Sequence, residues 1–171
     1  MRGCGIRDVA VILEVSIGKV LKTLIKNNYN FQPKQKHYTC LEVDELWTFV
    51  GSKQNRQWLI YAYDRDNGEI VAYVWGDRSA KTAKRLRAKL IELKITYDYI
   101  ATDDWNSFVK TFSNDTHSVG KQYTVGIEGN NCRLRHRMRR IFRKSCNFSK
   151  KLLNHFKAFK MTVYYINFGM I

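Results

Sequence analysis

Residues 39–76 constrain the fold more than any other part of this chain. Three β-type runs follow one another at hairpin spacing: 39–50, "QWLIYAYD" at 57–64 and "EIVAYVWG" at 69–76. The turn "RDNG" at 65–68 joins the second to the third. The first run alternates. Leu41, Val43, Trp47 and Phe49 fall on one face, and Glu42, Asp44, Leu46, Thr48 and Val50 on the other. After the strands, "SAKTAKRLRAKLIELK" (79–94) reads as an amphipathic helix with Ala83, Leu86, Leu90 and Leu93 inward. A strand follows at 97–104, a short helix at 105–112 and a short strand at 116–123. A long basic helix is predicted from near Thr124 to about Lys144, and "MTVYYINFGMI" at the end reads as a strand or a terminal helix. The order β-β-β-α-β-α-β-α predicts an α/β fold, a mixed sheet flanked by helices.

Ahead of the strands, residues 6–26 read as two short helices with a tight break. Val9, Ala10 and Leu13 form one apolar stripe, Val15 sits in the turn, and Ser16 caps a helix whose Ile17, Val20, Leu21 and Leu24 face inward. This is helix-turn-helix spacing, although Glu14 stands where such turns usually carry Gly, and a plain helical hairpin fits as well. A third helix would complete such a unit, so the chain is expected to lack an N-terminal part. Residues 27–37, "NNYNFQPKQKH", are polar and hold the only Pro, as a linker does. The predicted division is therefore 1–26, a partial helix-turn-helix; 27–37, a linker; and 38–171, the main domain.

Charge narrows the partner. Thirty Lys and Arg against fifteen Asp and Glu give a formal net charge of +15. That excess points to a polyanion, nucleic acid before an acidic membrane surface, with a merely soluble basic protein as the bland alternative. No apolar run approaches the roughly 18 residues of a membrane span. Arg7, Asp8 and Glu14 interrupt any signal-peptide pattern at the start. The cysteines (Cys4, Cys40, Cys132, Cys146) are scattered, which argues against a zinc site or a disulfide framework and for a reducing interior.

Three acids do not fit a plain sheet protein. Asp44 lies in an apolar strand, Asp103 closes the 97–104 strand, and Glu128 lies in the first turns of the basic helix. From Lys121 to Lys160 there are twelve Lys and Arg, and Glu128 is the sole acid. On helical geometry Ile127, Leu134, Met138 and Ile141 form that helix's core stripe, with Glu128 and Arg135 beside it. Each acid alone could be structural. Converging without His or Cys, they would make a hard oxygen site suited to Mg²⁺ or Mn²⁺. Two such ions about 3.5–4 Å apart are the arrangement used for in-line phosphoryl displacement. A cation would also explain how an apolar strand tolerates Asp44.

From Cys40 to His155 the chain resembles the catalytic domain of IS1-family insertion-sequence transposases, of the DDE group with a ribonuclease H-like fold. The matching stretches are "EVDELWTFVGSK", "QWLIYAYD", "TDDW" and "GKQYTVGIEGNNCRLRHRMRRIFRKSCNFSK". The short gap between the second acid and the Glu also fits (128 − 103 = 25). The resemblance implies a catalytic and metal-binding triad of Asp44, Asp103 and Glu128, with Asp103 preferred over its neighbour Asp104. It maps a DNA-contacting basic residue onto Arg135. Glu45 is in the motif, but strand alternation points it to the face opposite Asp44, as a supporting or structural residue. Relatives carry an upstream zinc segment and a complete helix-turn-helix, and the full enzyme often arises by frameshifting. A partial product is therefore an expectation.

The implied chemistry is cleavage at an element end that frees a 3′-hydroxyl, then attack of that hydroxyl on target DNA. Mg²⁺ is the implied cofactor, as two ions, with Mn²⁺ as substitute. Arg133, Arg137, Arg140, Arg143 and Lys144 would hold phosphates, unless they form a plain solvated face. Trp47, Trp105 and Tyr123 would stack on a splayed base or serve as core. The partners expected are the element's terminal repeats, target DNA and further copies of the chain, in the bacterial cytoplasm at the nucleoid and away from membranes. Two alternatives stay open: a ribonuclease H-like nuclease that cuts without joining, and a DNA-binding regulator of the full transposase.

Overall fold

The computed structural model describes residues 3–141 and 147–169. Along the described chain the elements are α1 (Ile6–Ile12), α2 (Ile17–Lys26), β1 (His37–Val50), β2 (Ser52–Asp64), β3 (Glu69–Gly76), α3 (Ala80–Glu92), β4 (Thr96–Thr102), α4 (Asn106–Thr111), β5 (His117–Val119), α5 (Val125–Arg137) and α6 (Leu152–Phe168). The strands form one sheet in the order β3-β2-β1-β4-β5. β2 and β3 pair antiparallel, while β1–β4 and β4–β5 pair parallel. This is the mixed sheet the sequence predicts, with hairpins first and crossover helices after. The chain divides into two compact units.

One unit comprises Gln32–Trp47 and Gln57–Asn131. Its β2–β3 hairpin is closed by local chemistry. The Asp64 carboxylate accepts from the Asp66 N–H (3.1 Å) and the Asn67 side chain (2.6 Å), and Gly68 takes a positive φ of 65°. Asp77 accepts from the hydroxyls of Ser79 and Thr82 at the start of α3, and Ser79 caps the helix at the Thr82 N–H. Ala83, Leu86 and Leu90 of α3 are buried as their spacing predicts, in one cluster with Leu41, Val43, Ile60, Val71, Ile100, Phe108 and Phe112. The predicted strand over 116–123 is shorter. It stops at Val119, Gly120 takes φ 138°, and Lys121–Tyr123 form a 3₁₀ turn leading into α5.

The other unit comprises Met1–Phe31, Thr48–Arg56 and Cys132–Ile171. Here α1 packs on α2, and α2 on α6. Ser16 caps α2 by accepting from the Lys19 N–H (3.1 Å). Glu14 bends the α1–α2 turn at φ 51°, the left-handed region a Gly would favour. The apolar stripe expected of α1 is only partly inward: Ala10 is buried, but Leu13 is 62% exposed, because the chain leaves the helix there. At the β1–β2 turn, the Gly51 N–H donates to the Ser149 carbonyl (2.8 Å), and the Phe49 ring lies 5.4 Å from that of Phe148.

The long basic helix is corrected. α5 ends at Arg137, and Arg139–Ile141 follow as a 3₁₀ turn. Met138 and Ile141 are both buried, as the predicted stripe requires. They are three residues apart, the spacing that a 3₁₀ turn stacks on one side. Residues 142–144, the rest of that predicted helix, lie outside the described residues. The C-terminal ambiguity resolves to helix. His155, Ala158, Phe159, Thr162, Val163 and Ile166 are buried at 3–4-residue spacing, and Gly169 ends α6 in the left-handed conformation.

Candidate active site

Parallel pairing brings the first two acids together. β1 and β4 run in register with Val43 opposite Thr102. Asp44 and Asp103 are the next residues on the two strands: Asp44 lies in the middle of β1, where its pairing with β4 stops, and Asp103 follows the last residue of β4. The carboxyl end of a strand is where sites gather in open α/β sheets. One carboxylate oxygen from each of Asp44, Asp103 and Glu45 lies within 4.8 Å of the other two.

Each of the three is held by named contacts. Asp44 accepts from the Glu45 N–H (2.7 Å) and from the Asn131 side-chain amide (2.6 Å). Asn131 also accepts from the Tyr61 hydroxyl (2.9 Å), so a buried chain runs from β2 through α5 to Asp44. Burial pushes the Asp44 carboxyl up to about 6. The hydrogen bonds from Glu45 and Asn131 oppose the rise, and the charges of Asp103 and Glu128 add to it. Asp103 accepts from the Trp105 N–H (3.1 Å), and Thr102 beneath it contacts His117 Nε2 (2.8 Å). Asp104, the less favoured alternative to Asp103, is exposed.

Glu45 departs from the sequence reading. Alternation sends it away from Asp44, yet its longer side chain reaches the acid group. It pairs with Arg78 at 2.7 Å. The Arg78 guanidinium lies over the rings of Trp58 (5.5 Å) and Trp105 (5.0 Å). Burial is the first cause of a Glu45 pKa of about 6; Asp44 and Asp103 raise it further and Arg78 opposes. Trp47 lies 6.3 Å from Trp58. Trp47 and Trp105 are half-buried, and Tyr123 is exposed. The two tryptophans thus border a packed aromatic–arginine cluster.

Glu128 sits on the exposed side of α5, outside the close group of three, and acts on Asp44 as a like charge. The helix that carries it is anchored by a residue to which the sequence reading gave no role. Glu42 is 2% exposed, and its Oε2 accepts from the Ile127 N–H (2.5 Å). A carboxylate at the first turn of a helix complements the helix dipole. Burial raises the Glu42 pKa, while the Ile127 and Gly126 N–H groups and Arg65 pull it back. Gly126 makes this approach possible: a Cβ there would stand 2.7 Å from Glu42 Oε1 and 2.8 Å from the Arg65 side chain. The available signal was position, because Glu42 is two residues from Asp44 on one strand face.

The basic residues are dispersed. Arg133 is exposed and Arg135 half-buried. Arg137 lies over the Tyr165 ring at 5.2 Å. Arg140 stands in the 3₁₀ turn, and burial lowers its pKa. The helical face expected of these side chains is therefore interrupted after Arg137. Arg143 and Lys144 lie outside the described residues.

The donor set suits a hard divalent cation: carboxylates, with no His or Cys in the group. Among the described residues no helix is long and apolar enough to cross a membrane.

A mixed sheet with flanking helices and acids where its central parallel strands β1 and β4 part is a ribonuclease H-like arrangement. A solved structure shares it: a chain of the simian T-cell lymphotropic virus intasome in complex with PP2A regulatory subunit B56 gamma, at TM-score 0.55 and 16% identity. The match covers 98% of this chain and 66% of that one, just under two thirds.

Sequence comparison then fixes the family. The IS1 transposase profile matches residues 37–170. The insertion element iso-IS1n protein InsB of Shigella dysenteriae is 40% identical over 117 residues, covering 68% of this chain and 88% of that protein. The insertion element IS1 2 protein InsB of Escherichia coli K12 is 37% identical over 127 residues, 74% of this chain and 75% of that one. The chain belongs to the IS1 transposase family.

Proposed function

We propose that this chain is a DNA transposase that cleaves at the ends of an IS1-type element and joins the freed 3′-hydroxyl to target DNA, with Asp44, Asp103 and Glu128 as its acids. The observation that carries the proposal is the meeting of Asp44 and Asp103 where the parallel pairing of β1 and β4 ends, in a chain of this family. Half-buried carboxyls packed beside like charge are costly unless a cation neutralises them. The residues therefore fit Mg²⁺, with Mn²⁺ as substitute. Asp44, Asp103 and Glu128 would hold it, and it would supply Lewis-acid stabilisation of charge on the phosphodiester and lower the pKa of the attacking hydroxyl.

The protein's own part is positioning. Asn131 and the Glu45 N–H fix both oxygens of Asp44, the Trp105 N–H fixes Asp103, and Glu42 seats the first turn of the helix carrying Glu128. Arg133 and Arg135, with Arg137, Arg140, Arg143 and Lys144, would hold the DNA backbone. Each phosphate neutralised adds about 0.9 to the log-salt slope of binding. On this reading residues 1–26 add a partial helix-turn-helix contact to DNA, 27–37 link it, and 38–171 are catalytic. Copies of the chain would assemble on the element ends, in the cytoplasm at the nucleoid.

The test uses labelled DNA carrying the element's own ends, the purified chain and Mg²⁺ or Mn²⁺. Nicked and joined products that disappear in Asp44→Asn and Glu128→Gln are expected. Nicks without joining would make it a nuclease. Salt-sensitive binding without cleavage, equal in all three proteins, would make it a DNA-binding regulator.

A further inference from the structure

Glu45 joins the acid group against the alternation of its strand, and its surroundings show a built site. Its side chain is only 8% exposed. Both of its hydrogen bonds from Arg78, from Nη2 at 2.7 Å and Nε at 2.8 Å, fall on Oε1. Oε2 is buried and has no hydrogen-bond partner. A carboxylate oxygen is an acceptor with no proton of its own at neutral pH, and buried ones are normally satisfied. Here one is left over on a carboxylate that belongs to a close group: one oxygen from each of Asp44, Glu45 and Asp103 lies within 4.8 Å of the other two.

Arg78 donates to Oε1 alone. Its guanidinium lies over the Trp58 and Trp105 rings while two of its N–H groups donate to Oε1, which favours this one orientation. The arrangement divides Glu45 in two: one oxygen is neutralised and oriented by the arginine, and the other is free for a cation.

We propose that Glu45 is a further ligand of the divalent cation held by Asp44 and Asp103, and that Arg78 is the residue that positions it. This rests on the reading of Asp44 and Asp103 as a cation site. It differs from the triad alone in adding a second carboxylate from the β1 strand, adjacent to the first in sequence. Arg78 also tempers the site. With one positive charge on Glu45, three clustered acids carry a net charge nearer −2 than −3, so the pocket can persist before the cation arrives.

The experiment titrates the full chain with Mn²⁺ alone and reads free Mn²⁺ by electron paramagnetic resonance, with circular dichroism to verify folding. Asp44→Asn tests the underlying site, and Glu45→Asp tests the proposal. Aspartate keeps the charge but shortens the reach by one methylene, so a through-space effect would survive it and ligation would not. Saturable Mn²⁺ binding that weakens at least about tenfold in Asp44→Asn and in Glu45→Asp is expected. Arg78→Gln is expected to loosen the positioning of Glu45 and leave Glu45→Asp without further effect in the double variant. Mn²⁺ binding lost in Asp44→Asn but within twofold of wild type in folded Glu45→Asp overturns the role of Glu45 and leaves the site standing. Binding unchanged in Asp44→Asn, or absent from wild type, overturns the cation reading itself. Should Glu45→Asp not fold, Glu45→Gln carries the same test, because a neutral isostere within twofold of wild type equally excludes ligation.

Discussion

In the sheet unit Asp44 and Glu45 are packed near like charge, with Asp103 beside them, and are pushed toward neutrality. In the helical unit the arginines differ in setting: Arg133 is exposed, Arg137 lies over the Tyr165 ring, and Arg140 is half-buried in the 3₁₀ turn. Proton affinity moves in opposite senses in the two. Burial raises the Asp44 and Glu45 carboxyls to about 6. Burial, helped by Arg140, lowers buried His155 to about 4. The stability tied to the two acids is present below their ordinary pKa values and lost as pH rises through 6. That tied to His155 is present above about 6.5 and lost as pH falls toward 4. Charge clustered for chemistry is paid for locally, whereas charge spread along a helix and turn costs little at any one position.

The largest effect should come from the sheet. Asp44→Asn is expected to lower strand joining by about a thousandfold or more, as loss of a residue needed only in the transition state does. It should also raise stability at pH 7.5 by about 1–2 kcal/mol, discounted for partial exposure, because a buried charge beside like charges is removed. Joining assays and urea unfolding on one preparation check both. A variant that loses stability at pH 7.5 would break the contrast.

Next in size is the pH response of the helical unit. Between pH 6.5 and 4 the unfolded chain binds a proton at His155 that the folded chain refuses, so stability should fall by up to about 3 kcal/mol across that window. His155→Gln should flatten this part of the urea midpoint-against-pH curve. His155 Nδ1 lies 3.0 Å from Ser149 Oγ, and glutamine can keep a partner there.

Gly126→Ala places a Cβ against Glu42 and Arg65. A cost of about 1–3 kcal/mol is expected, as for other overpacked sites, and it should be seen in thermal unfolding. Glu42→Gln keeps an acceptor for the Ile127 N–H but removes the charge at the start of α5, for a loss of about 1 kcal/mol. Equal costs in the two would mean that steric fit and charge contribute alike to seating that helix.

The smallest effect belongs to the basic side. Arg133→Gln should reduce the log-salt slope of DNA binding by about 0.9 and leave stability within about 0.5 kcal/mol. Loss of joining as complete as in Asp44→Asn would place Arg133 in the chemistry and erase the distinction drawn between the two regions.

The strands, the α3 stripe, the Ser16 cap and the three suspect acids were legible in the sequence alone. Each follows from a local period or a residue type out of place: Leu86 and Leu90 four apart, Asp44 among apolar neighbours. The ends of elements were less legible. α5 stops at Arg137, and α6 is a helix where the last eleven residues read equally as strand, because burial by distant residues outweighs local preference. How acids far apart in the chain meet depends on long-range pairing. The parallel register that sets Val43 beside Thr102 is a non-local pairing, and it delivers Asp44 to Asp103. The reach of Glu45, its arginine lying over Trp58 and Trp105, and the Glu42 bond to α5 depend on side-chain length and on partners 33 and 85 residues away. Alternation along a strand fixes which way a Cβ points, not where a flexible carboxylate ends.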